Sequence, residues 1–190
     1  ATLVAAAAAP TGNQVLTALG LTCYLGGLVI AGRPLVEETL RRRPSTYATW
    51  SVCVGVVWFV VTLAVLTVVV AFAPTWAAAA DVADRLAVPL LVGFGAQVLL
   101  GALSYLIPVV LGGGPAAARR TIAVLDTGAR TRLVLINTGV LAEALPLPAT
   151  LRTALGLAAL GALATFLPLV VRAVLLRRAR EPLQTEPAPS

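Results

Sequence analysis

Four uninterrupted apolar stretches constrain this chain of 190 residues more than any other feature: Val15 to Gly32, Ala48 to Ala73, Leu86 to Leu111 and Leu151 to Leu176. A hydrocarbon core about 30 Å thick takes about 17 to 25 residues of helix at about 1.5 Å each, so every one of these stretches is long enough to cross. Inside lipid the backbone must bond within its own segment, which makes each stretch a helix. Hydrophobic residues amount to 59% and charged residues to 12%, against about 45–50% and about 25% in soluble domains. The expected fold class is all-α, a polytopic transmembrane helical bundle. An ordinary water-soluble globular domain is excluded.

A fifth stretch, Leu133 to Leu147, is marginal: it is short, holds Asn137 and Glu143, and ends in Pro146 and Pro148. It needs protein neighbours to insert. Arginine arbitrates. Arg33, Arg41, Arg42 and Arg43 separate the first two stretches, Arg119, Arg120, Arg130 and Arg132 precede the fifth, and Arg172, Arg177, Arg178 and Arg180 close the chain. With five spans these twelve fall on one side and only Arg85 and Arg152 on the other, and cytoplasmic loops carry the excess. The prediction is therefore five spans (about 15–32, 48–73, 86–111, 133–147 and 151–176) within a membrane domain over 15–176. Residues 1–14 form an extracytoplasmic N-terminal segment and 177–190 a polar cytoplasmic tail. Gly112-Gly113-Gly114-Pro115 reads as a helix stop, followed by a short interfacial helix over Ala116 to Asp126 before Gly128. The chain has no Met, and Ala1 to Pro10 lacks a basic n-region. Both suggest that Ala1 arises by cleavage or truncation and that the chain is a piece of something longer.

The absent residues limit the chemistry. Without His or Met the chain supplies no usual haem ligands, no blue-copper site, no His-ligated zinc and no Ser-His-Asp triad. No metal-ligating or catalytic residue is expected. The net charge of +6 reads as a membrane-orientation signal and not as a nucleic-acid footprint. Cys23 and Cys53 lie about 15 Å and about 9 Å from the cytoplasmic ends of their helices, which points to free, buried thiols beyond disulfide range.

Helical periodicity places Gly93, Gln97, Gly101, Ser104 and Pro108 on one face, with Tyr105 beside it. Such a face has two readings: Gln97, Ser104 and Tyr105 line a cavity for a cofactor or substrate, or small residues let two backbones meet and Gln97 bonds across the contact. Comparable faces run through Gly20, Tyr24, Gly27 and Ala31, through Ser51, Gly55, Trp58 and Thr62, and through Ala154, Ala158, Gly161 and Thr165. They suit a compact bundle or a surface that meets further transmembrane helices or subunits. Trp58 and Tyr105 are packing aromatics or stacking groups for a quinone or haem, and Tyr47, Trp50, Phe72 and Trp76 fit interfacial anchors. Glu143 lies about 7 Å below the outer end of its helix, counted from Pro148 at about 1.5 Å per residue. It is a relay or quinone-site carboxylate, or an ion pair with Arg152 or Arg85. Asn137 points to the opposite side of that helix and suits an interhelical hydrogen bond.

The run Gly93 to Pro115, GFGAQVLLGALSYLIPVVLGGGP, with Ala116 to Arg120 and Leu125-Asp126 after it, resembles a known family. So do Arg33-Pro34-Leu35, Tyr47 to Trp50 and Ala73 to Trp76, which occur in the same order. The resemblance, over Leu16 to about Arg178, is to the second half of the membrane domain that actinobacteria fuse to multicopper-oxidase or copper nitrite reductase-like cupredoxin modules. It is distantly similar to haem-copper and NnrS-like membrane proteins. Gln97, Ser104, Tyr105 and Pro108 carry over as matching motif positions. The resemblance implies a multi-pass domain of the bacterial cytoplasmic membrane that scaffolds or anchors a respiratory copper oxidoreductase without redox-metal ligands of its own. Haem, copper or quinone would be held elsewhere in the assembly, with a cupredoxin module among the partners. The alternatives are a structural subunit of a larger membrane complex and one half of a small-solute transporter, with Gln97, Asn137 and Glu143 lining the route.

Overall fold

The computed structural model describes residues 13–41 and 45–179, and among these the chain is helical with no strand. The helices are α1 (Gln14–Arg41), α2 (Tyr47–Phe72), α3 (Trp76–Val88), a π-helical segment (Pro89–Ala96), α4 (Gln97–Leu111), α5 (Gly114–Leu125), α6 (Ala129–Ala144), α7 (Ala149–Ala164) and α8 (Phe166–Arg178). Four continuous helices are long and apolar enough to cross a membrane: Gln14–Arg41, Tyr47–Phe72, Trp76–Leu111 and Ala149–Arg178. Most of the predicted N-terminal segment and C-terminal tail, with Arg42, Arg43 and Arg180, lies outside the described residues.

Local chemistry sets the boundaries. Thr46 caps α2 in a reciprocal box with Thr49, and the Thr75 hydroxyl accepts from the Ala78 N–H at the start of α3. The third helix begins at Trp76, ten residues before the apolar stretch that predicts it, because this cap and the Ala77 to Ala80 run favour helix upstream. Pro89 then falls inside it. Proline offers no N–H and crowds the carbonyl one turn back, and the helix widens into π geometry from Pro89 to Ala96. Gly112, Gly113 and Gly114 all take positive φ, 68°, 85° and 80°, which only glycine adopts without strain. They turn the chain into α5, two residues ahead of the predicted interfacial helix. Arg177 of α8 folds back on this turn and donates to the Gly112 carbonyl.

The packing is antiparallel. The Gln14 side chain reaches the Ala73 carbonyl at 3.5 Å, bringing the start of α1 to the end of α2. Four of the described arginine-bearing termini meet at one end: the close of α1, α5, the start of α6 and the close of α8. The core consists of Ile136, Val140 and Ala162, with Trp58, Val92, Leu135 and Leu163 against it. Helix α6 thus sits at the centre, packed against α7, the π segment, α3 and α2. The stretch that is weakest by hydropathy is the one most surrounded by protein.

Two predicted faces are displaced. On α7 the buried positions are Ala159, Ala162 and then Phe166 on α8, while Gly161 faces open space. The contact face is rotated by one residue because Gly139 of α6 brings the two backbones together there. A Cβ on Gly139 would lie 2.5 Å from the Ala159 Cβ and 2.8 Å from the Leu155 carbonyl oxygen. On α1, Gly20 is buried, but Gly27 and Ala31 are exposed. Cys23 is likewise exposed and Cys53 half-buried, not fully buried, because only α2 covers α1 to any extent; both thiols are free.

Candidate functional site

The faces predicted on the second and third apolar stretches meet each other. Gly101 sits against Val52, Ser51 and the Ala48 carbonyl, Gly55 against Val98 and the Phe94 carbonyl, and Gly93 against the Trp58 ring. Phe59 and Phe94 stack beside them with ring centroids 4.6 Å apart. The close approach is what the absent side chains allow, since a Cβ at Gly101 or Gly93 would fall 2.8 Å from its nearest neighbour.

A polar node lies in the middle of this contact, where α2, the π-to-α4 junction and α6 converge. Gln97 is fully buried. Its amide donates to the Gly93 carbonyl at 2.8 Å and to Asn137 Oδ1 at 3.1 Å, and its Oε1 accepts from Asn137 Nδ2 at 3.3 Å. Asn137 Nδ2 also donates to the Leu133 carbonyl at 2.7 Å, and its Oδ1 accepts from Trp58 Nε1 at 2.6 Å. Ser51, also fully buried, donates to the Gln97 carbonyl at 2.8 Å. An amide offers two N–H bonds and an oxygen acceptor. All four amide hydrogens and both oxygens are engaged within this node. The amide orientations follow from the network, since Gly93 and Leu133 accept and Trp58 donates.

The other expected site residues are dispersed. Ser104 is buried and returns its hydroxyl to the Leu100 carbonyl at 2.8 Å. Tyr105 is 69% exposed and turned away from Gln97. Glu143 lies at the opposite end of α6 from the arginine-rich face, with its carboxylate 3.7 Å from Arg152 and both side chains partly exposed. Among the described residues no three of His, Cys, Asp and Glu come close enough to hold a metal ion.

A second polar cluster is absent from the sequence reading. Arg132, 4% exposed, stacks its guanidinium 4.1 Å from the centroid of the Tyr47 ring and donates to the Leu125 carbonyl. Asp126 accepts from the Tyr47 N–H at 2.8 Å and so tethers the start of α2 to the end of α5. Tyr47 is buried and is no lipid-facing anchor. Arg132 stays cationic at any physiological pH. Arg132, Ile136, Gly139 and Val140 are all buried and spaced for one helical face, so continuing the periodicity of α6 one turn upstream would have found it.

Comparison with protein-family models, with curated proteins and with solved structures returns no match.

Proposed function

We propose that this chain is a membrane-embedded scaffold or anchor whose intramembrane polar residues serve assembly of the bundle and not chemistry. The observation that carries the reading is the closure of the node: Trp58, Gln97 and Asn137 use their polar atoms on one another and on adjacent carbonyls. A transport route or redox-cofactor pocket needs polar groups left over for its guest. In this reading α6 is the fifth span, carried across by its neighbours, with the N-terminus outside and the arginine-rich end in the cytoplasm of a bacterial cell. The resemblance of Gly93 to Pro115 supplies the proposed cargo, a copper oxidoreductase module that holds its own metal.

The test is isolation of the chain from its native membrane, with intact mass, visible spectrum and metal analysis of what copurifies. A copper- or haem-bearing partner is the expected result. Asn137→Leu and Gln97→Leu should then lower the amount of assembled complex while each assembled complex keeps its turnover. Normal assembly with loss of quinol-dependent reduction, or of solute flux in proteoliposomes, would overturn the scaffold reading.

A further inference from the structure

The arginine-rich end of the bundle holds a cleft of about 510 Å3 that the scaffold role does not use, between the start of α2 and the start of α6. Its walls include Thr46, Tyr47, Trp50, Asp126, Arg130 and Thr131. We propose that it binds the phosphate-bearing headgroup of an anionic phospholipid. The volume lies within the range of about 300–1,000 Å3 typical of small-molecule sites. Arg130 is exposed and has no carboxylate partner among the described residues. The lining Asp126 spends one of its oxygens on the Tyr47 N–H.

A second, independent observation points the same way. Tyr47 both lines the cleft and carries the Arg132 guanidinium over its ring, and Arg132 Nε and Nη1 have no partner among the described residues. The Arg132 charge stands behind the Tyr47 wall of the cleft, so with Arg130 the cations outnumber the one lining carboxylate, Asp126. Thr131 and the uncapped first turn of α6 add donors, since Gly128 at the cap has no side chain to offer. Trp50, 47% exposed, marks the depth of the headgroup layer. Anionic headgroups concentrate where basic residues cluster at a membrane surface.

The experiment uses the full chain in nanodiscs of phosphatidylcholine alone or with phosphatidylglycerol, read by native mass spectrometry of retained lipid. One phosphatidylglycerol should survive detergent release in preference to phosphatidylcholine. Arg130→Ala should weaken that retention about tenfold, the loss of one charge-assisted contact. Arg119→Ala, which removes an equally exposed arginine on α5, should leave it unchanged. Equal retention of both lipids, or equal effects of the two variants, overturns the proposal. So does protection of the lipid-free chain by inorganic phosphate alone, which would make the site one for free phosphate. Arg130 is exposed, so its loss leaves the fold intact, and an unchanged midpoint of unfolding in SDS-titrated mixed micelles checks that.

Discussion

Helices α1 and α4 carry faces of small residues that read alike in sequence, yet only one of them is filled. On α4 and the adjoining π segment, Gly93 and Gly101 press against Trp58 and Val52 of α2, and the buried Gln97 ties that contact to α6. On α1, Gly26, Gly27 and Gly32 have nothing within reach of an added Cβ. A small-residue face permits close approach, and whether another helix takes up the offer depends on polar groups that must find partners and on where neighbouring helices end. Gln97 and Asn137 need each other in an apolar medium. The middle of α1 contains no comparable demand.

This contrast can be broken by substitution, and the largest effect is expected at the tightest crossing. Gly139→Leu would drive a side chain into the Leu155 backbone and should cost the upper end of the about 1–3 kcal/mol typical of overpacking, or more. The check is unfolding of the chain in mixed micelles titrated with SDS. An unchanged midpoint would mean that α6 and α7 are not in contact. Gly101→Ala should follow with about 1–2 kcal/mol, since its new methyl meets Val52, which yields, and the Ala48 carbonyl, which does not.

Asn137→Leu removes the acceptor of Trp58 and one partner of Gln97 and should cost about 1 kcal/mol, the scale of interhelical hydrogen bonds in membranes. Combined with Gln97→Leu the losses should be less than additive, because the first substitution already opens the node. Strict additivity in that cycle would dissolve the node as a unit. The smallest effect, of opposite sign, is expected on α1: Gly27→Ala should leave stability unchanged or raise it by up to about 1 kcal/mol through helix propensity alone. A clear loss there would show that another helix covers α1 in the assembled protein, and the comparison would then hold only for the isolated chain.

Much of the architecture was legible without coordinates because it follows from transfer energetics. Long apolar runs fix four helices, the glycine run fixes the stop before α5, and periodicity assigns Gly93, Gln97, Gly101, Ser104 and Pro108 to one buried face. Asn137 was readable as an interhelical bonding residue, whereas for Glu143 a relay carboxylate and an ion pair with Arg152 or Arg85 both stayed open, and the structure has it 3.7 Å from Arg152. Pro89 was as visible as any residue, but hydropathy does not register the missing N–H that widens the helix there. The true face of α7 was not legible from α7 at all, since the rotation by one residue is imposed by Gly139 on another helix.

Hydrophobicity and charge are properties of single segments against solvent, and so the amino-acid sequence was enough to mark four helices long and apolar enough to cross a membrane and the segments that carry the arginines. The packed bundle settled which polar residues face one another. It joined Trp58, Gln97 and Asn137 into a closed node and left Arg132 buried over Tyr47 with donors to spare. Pairing across helices depends on depth, rotation and crossing distance together, and a fraction of a helical turn on one partner is enough to change it.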